Sequence, residues 1–183
     1  MKEHPILFNS EMVGAILDGR KTQTRRVVKP QPDFCISTAT YQNSLEEIKK
    51  SIIARCSFGK VGDRLWVRET FRIPEDYEYY ERGTVLYAAS EMDAGAKWKP
   101  SIHMPRWASR ITLEITDIRT ERINEISAMD CISEGIKRSE SNNVEARVDD
   151  EILAFKTLWN SISKKHTWES NPYVWVIEFK AMK

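Results

Sequence analysis

Apolar residues follow two rhythms along this chain, every second position in some stretches and every third or fourth in others. Each rhythm predicts an element. Pro5 to Phe8 is a short apolar run that reads as a strand. Met12, Val13, Ile16 and Leu17 then form one helical stripe, with Ser10 as its N-cap and Asp18-Gly19 as its stop. Arg20 to Lys29 leaves that stop as an extended segment, until Pro30 and Pro32 break it. Ser44-Leu45-Glu46-Glu47 has the form of a capping box ahead of Ile48 and Ile52, which predicts an inserted helix. Gly62-Asp63 marks a turn. Arg64 to Phe71 reads as a strand with Leu65, Val67, Glu69 and Phe71 on one face.

The second half repeats these signals. Glu75 to Arg82 is acidic and rich in tyrosine, and Thr84 to Ala89 reads as a strand. Residues 92–107 read as a loop. From Arg110 to Ile118 the chain alternates, with Ile111, Leu113 and Ile115 opposite Thr112, Glu114 and Thr116. Ser127 to Asp130 is a second capping box, and its helix stops at Gly135. Lys137 to Asp149 is a polar connector. Ile152, Phe155, Trp159 and Ile162 give an amphipathic helix, and Tyr173 to Phe179 is apolar enough to be a strand buried on both faces. Short strands of uneven spacing with a few helices predict an α+β fold, a small β-barrel decorated by helices.

Composition narrows the function. The 183 residues fit a single domain at 1–183, and an apolar share of 41% suffices for a real core. The 28 basic and 27 acidic residues leave a net charge of +1, so attraction to nucleic acid must come from a local patch. Cys35, Cys56 and Cys131 are widely spaced, as are His4, His103 and His166. They give no metal-ligand spacing, and the expectation is no metal and no cofactor. Reduced thiols, no signal peptide and no long apolar run point to a cytoplasmic protein without a membrane partner. Nothing in the pattern sets an oligomeric state.

Candidate chemistry concentrates in Asp18-Gly19-Arg20-Lys21-Thr22-Gln23-Thr24-Arg25-Arg26. A threonine hydroxyl becomes a nucleophile when a base takes its proton, and a lysine can be that base if burial or neighbouring cations lower its pKa. Arg20, Arg25 and Arg26 are such neighbours of Lys21 and Thr24. A solvated basic turn explains the same residues. Glu134 ends a helix, where the negative end of the helix dipole favours a carboxyl that keeps its proton, as a general acid requires. A surface glutamate is the plainer reading. Glu69, on an apolar strand face, needs either an ion-pair partner or a ligand. His103, Arg106 and Trp107 lie in a loop of cations and aromatics that suits base stacking and phosphate contact, or covers one end of the fold.

These residues resemble an ASCH-domain protein, from the PUA-like group of folds. Ile16-Leu17-Asp18-Gly19-Arg20-Lys21-Thr22-Gln23-Thr24-Arg25 resembles the family's G-x-K-T-x-T-x-R signature. Val61-Gly62-Asp63-Arg64-Leu65 resembles its G-D-x-L motif, and 111–118 and 173–179 resemble its barrel strands. Trp66 to Phe71 and His103 to Trp107 are similar to segments of the larger ASCH proteins of phages and prophages. The resemblance implies a PUA-like pseudobarrel with a cleft for RNA or a modified nucleoside. A small bacterial member of the family is an N4-acetylcytidine amidohydrolase with a lysine base, a threonine nucleophile and a glutamate acid. Carried over by motif, these imply Lys21, Thr24 and Glu134. Segments around 33–60 and 72–108 are longer here than in that small enzyme.

The sequence therefore predicts an amidohydrolase acting on an acylated pyrimidine nucleoside. Arg20 and Arg25 are candidates for the oxyanion, and Arg26, Glu69, His103, Arg106 and Trp107 for substrate contact. A non-catalytic RNA- or nucleotide-binding module, or a metal-independent ribonuclease, would use the same basic segment.

Overall fold

The computed structural model describes residues 1–32, 42–74, 81–91 and 97–182. The acidic stretch after Ile73 and the start of the 92–107 loop lie partly outside the described residues. Among the described residues, two sheets and four α-helices make a mixed α+β fold. The main sheet has five strands in the order β1-β3-β6-β7-β2. These are β1 (Glu3–Leu7), β2 (Gln23–Val27), β3 (Arg64–Arg68), β6 (Thr112–Arg122) and β7 (Tyr173–Ala181). β1 pairs parallel to β3, and the other neighbours are antiparallel. β4 (Phe71–Arg72) and β5 (Leu86–Tyr87) form a separate two-stranded ribbon.

The expected closed barrel is corrected here. Among the described residues β1 and β2 are two edges that do not pair with each other, so the sheet stays open. The strand read over Arg64 to Phe71 also breaks after Arg68, and Phe71 passes into the second ribbon. The longer strand read over Thr84 to Ala89 shrinks to Leu86–Tyr87.

β7 organises the interior. Because side chains alternate across a strand, Tyr173, Trp175, Ile177 and Phe179 face one core. Val174 and Val176 face another. The first core takes Val13 and Ile16 from α1 (Ser10–Leu17) and Ile52 from α2 (Gln42–Ala54). The second takes Cys131 from α3 (Ala128–Ser133) and Phe155 and Trp159 from α4 (Val144–Ile162). Helices thus cover both faces of the sheet.

Several element ends differ from the sequence reading. Asn9, not Ser10, caps α1, its side chain accepting from the Met12 N–H at 2.8 Å. α2 begins at Gln42, so Ser44 lies inside the helix and not at its cap. α4 begins at Val144, capped by Asn143, so the polar connector is shorter than it reads. Glu145 in its first turn sits where the positive end of the helix dipole favours a carboxylate.

A β-bulge between Ile115 and Asp117 matters most for the site. Ile111, Leu113 and Ile115 are buried in the first core, and strict alternation would send residues 117, 119 and 121 to the same face. The extra residue resets the register, so that Ile118 enters the first core instead. Arg119 and Glu121 then stand opposite Val176 and Val174, on the face covered by α3 and α4.

Candidate functional site

The turn after α1 carries the signature segment into the interior. Gly19, at φ 73°, reverses the chain in the left-handed region that glycine tolerates. The N–H groups of Arg20 and Lys21 both donate to the Ala15 carbonyl at 2.9 Å, which folds the turn back on the helix. The Thr22 N–H donates to the Ser133 carbonyl at 2.8 Å and ties β2 to the end of α3.

Lys21 is only 2% exposed. Its Nζ donates to the Glu134 carbonyl and to Glu134 Oε2, each at 2.7 Å. A lysine ammonium has three N–H groups, so one remains beyond these two bonds. Burial pushes the Lys21 pKa down. The charge and hydrogen bond of Glu134 oppose that shift, and Arg26 and Arg25 add to it.

Glu134 is the C-cap of α3, and Gly135 follows it at φ 98°. A Cβ on Gly135 would stand 3.0 Å from Ala15 Cβ and 3.3 Å from Lys21 Cβ. The helix end can therefore approach the Lys21 turn only because this residue has no side chain. Glu134 Oε1 accepts from Arg25 Nη1 at 3.1 Å. Two cations, and not only the end of a short helix, set the surroundings of this carboxylate.

Arg25 is the hub of a wider network. Its Nε donates to Glu121 Oε1 at 3.0 Å, and its Nη2 pairs with Glu121 and, at 3.3 Å, with Asp130. Gln23 donates to Asp130 Oδ1 at 3.0 Å, and Arg119 bonds Asp130 at 2.9 Å and pairs with Glu178. Burial alone would raise the Asp130 pKa. The hydrogen bonds of Gln23 and Ser127, with the charges of Arg25 and Arg119, outweigh it and hold the carboxyl below its usual value. Glu121, Asp130, Arg119 and Gln23 were not singled out from the sequence. The odd spacing of Ile115 and Ile118 is the signal that places Arg119 and Glu121 on this face.

Two members of this network, Arg25 and Glu134, line an open cleft of about 670 Å³ beside β2. Thr24, Arg25, Arg26 and Glu134 line it, with Phe155 and Trp175 among its aromatic walls. Thr24 stands opposite Ile177 in the ladder and is buried. No side-chain hydrogen bond involves its hydroxyl among the described residues. The Thr22 carbonyl accepts from Phe179 and the Val28 N–H donates to Tyr173. The even positions of β2 therefore bond to β7. The main-chain groups of Gln23, Arg25 and Val27 point outward to the free edge.

Arg26 lies on the same strand face as Thr24. Its guanidinium stacks on Phe8 at 5.1 Å and Phe58 at 5.9 Å, and its Nη2 donates to the Leu7 carbonyl at 2.6 Å. Arg20 is outside the cleft lining and bridges the Gly135 carbonyl to Asp18, each bond at 2.9 Å.

The remaining candidates lie elsewhere. Glu69 is buried in a bidentate pair with Arg110, at 2.9 and 3.0 Å. Arg106 reaches across to Glu3 on β1, the sheet edge opposite β2, with Nε to Oε2 at 2.8 Å. His103 and Trp107 belong to the 3-10 turns Ser101–His103 and Arg106–Ala108 on that side, and Trp107 is 64% exposed. None of the four lines the cleft.

Among the described residues no three His, Cys, Asp or Glu side chains are grouped as a metal site requires, and no helix is long and apolar enough to cross a membrane. No family model matches the chain, and no curated protein matches it. A solved structure described as the high resolution crystal structure of an ASCH domain from Lactobacillus crispatus JV V101 is similar to it over 98% of this chain and 79% of that one, at 13% identity and a TM-score of 0.40.

Proposed function

We propose that the cleft beside β2 belongs to an ASCH-type amidohydrolase that removes an acyl group from the exocyclic amine of a pyrimidine nucleoside such as N4-acetylcytidine. One observation carries this reading. Glu134 and Thr24 both line the cleft, and the Glu134 carboxylate bonds the buried Lys21.

A proton shift along the 2.7 Å bond from Lys21 Nζ to Glu134 Oε2 creates a base and an acid together. Lys21 then takes the Thr24 proton as Oγ1 bonds to the acyl carbon, and the carbonyl electron pair moves onto oxygen. The outward main-chain N–H of Arg25 is a donor for that oxyanion, since the Arg25 side chain is committed to carboxylates and Arg20 lies outside the cleft. Glu134 protonates the nitrogen as the C–N bond breaks, leaving acyl-Thr24. Water attacks the ester and gives a proton to Glu134. Thr24 leaves, recovering its proton from Lys21, and the proton on Glu134 passes back to Lys21, which restores the starting ion pair.

The test is release of cytidine from N4-acetylcytidine by the purified protein, followed by chromatography. Thr24→Ala and Lys21→Met should each lower the rate by orders of magnitude, and Thr24→Ser should keep part of it. If wild-type protein releases no cytidine, the second reading takes over, a module that binds RNA or nucleotide without chemistry. One observation favours that second reading. Lys21 itself has no surface on the cleft, as a purely structural ion pair would have it.

A further inference from the structure

The rim of the cleft is far more basic than the chain as a whole. The net charge of the protein is +1, yet Arg26, Lys29, Arg55, Lys164, Lys165 and His166 all line this one opening. Among the described residues Glu134 is the only carboxylate of the lining, and it is already bonded to Lys21 and Arg25. Among the described residues, none of Arg26, Lys29, Arg55, Lys164 and Lys165 pairs with a carboxylate. Arg55 donates to the Ser51 carbonyl at 3.2 Å and Lys164 to the Asn160 carbonyl at 3.5 Å, bonds that leave their charges uncompensated.

Arg26 differs from the others in being held in place. Two phenyl rings and the Leu7 carbonyl fix its guanidinium, and its Nε is buried without a hydrogen-bond partner. A fixed guanidinium loses little freedom when it binds, and its fork matches a phosphate. A neutral nucleoside has no negative charge to match these cations. From this we infer that the substrate carries phosphate. Arg26 would bind it inside the cleft, while the exposed ammonium groups of Lys164 and Lys165 and the Arg55 guanidinium attract it at the rim. The inference rests on the proposed hydrolysis only for the identity of the base, and the phosphate site stands or falls by itself.

Calorimetric titration with cytidine, cytidine 5′-monophosphate and a single-stranded cytidine tetranucleotide tests it without turnover. The monophosphate or the tetranucleotide should bind roughly ten- to a hundredfold more tightly than cytidine, as one or two charge-assisted bonds provide. Added salt should narrow the gap. So should Lys164→Ser with Lys165→Ser, which alters only exposed side chains, and Arg26→Gln. A monophosphate as tight as the tetranucleotide identifies a single phosphate as the ligand feature. A tetranucleotide tighter still identifies a strand. Equal binding of all three ligands overturns the inference, and so does a gap that both variants leave intact. Phosphate preference without cytidine release would end the proposed chemistry but not this site, and release without phosphate preference would do the reverse.

Discussion

Lys21 Nζ touches Glu134 twice, at the backbone oxygen and at the carboxylate, both at 2.7 Å. The first bond ties the lysine to the helix end whatever the charge on the carboxylate, so the pair stays in register whichever group carries the proton. Breaking the pair from one side leaves a buried charge short of a partner, Lys21 without a carboxylate or Glu134 with Arg25 alone. Lys21→Met and Glu134→Gln should each cost about 3–5 kcal/mol of stability, and the double variant should cost less than their sum. Urea unfolding of the four proteins checks this, and strict additivity would mean that the two groups are uncoupled.

The depressed pKa of Lys21 gives stability a definite pH dependence. In the window between that lowered value and the ordinary lysine value, the unfolded chain binds more protons than the folded one. Stability contributed at this site therefore rises with pH across the window. Below it, the full cost of a buried ammonium is present in the folded state. Unfolding of wild type and Lys21→Met, compared from neutral to alkaline pH, should show the extra rise in wild type only. The alkaline limb of any hydrolytic activity should likewise fall below the ordinary lysine range.

Gly135→Ala tests the close approach of α3 to the Lys21 turn. The new methyl would meet Ala15 at 3.0 Å in a backbone conformation that side chains rarely adopt. A loss of about 1–3 kcal/mol is expected from the backbone strain. Activity should fall further than stability, because the shift acts on the Lys21–Glu134 bond itself. Thermal unfolding and the cytidine assay read the two effects, and a variant with wild-type values in both would mean that the helix end has slack.

Cys131 lies in the second core under α3, and burial, joined by nearby carboxylates against Arg25, pushes its thiol up to about 12. The thiolate is the reactive form, so the native protein should label slowly at Cys131 at pH 8, at a rate set by unfolding. Peptide mass mapping over time checks this. Modification of Cys131 in native protein as fast as in urea would show that the core opens freely.

Much of the framework could be read from single residues. Asp18-Gly19 ends α1 as expected, Ser127 and Asp130 make the capping box of α3, and β7 is buried on both faces. These are local signals, fixed by a cap, a φ angle or a two-residue period. The site partners were harder. Glu121 meets Arg25 because a bulge some five residues earlier turns the strand over, and only the mismatch of Ile115 with Ile118 hints at it. The basic rim draws on Arg55 and Lys164-Lys165, whose convergence depends on where α2 and α4 end. Conversely, Arg106 reads as a ligand contact in its loop, yet its charge is spent on Glu3, a residue no local pattern connects to it.

The place of β2 at the sheet edge has a consequence for the order of assembly. Its hydrogen bonds run to β7 alone, with Gln23 set against Glu178 and Val27 against Val174. The signature segment leaves a ribosome well before the strand that fixes it, which is β7. Until residues 173–181 are made, Thr24 has no ladder, Arg25 has no opposing Val176, and the cleft has no wall at Trp175. α1 can form early from local contacts, but the chemistry next to it must wait. A nascent or truncated chain lacking β7 would carry the whole signature motif and no working site.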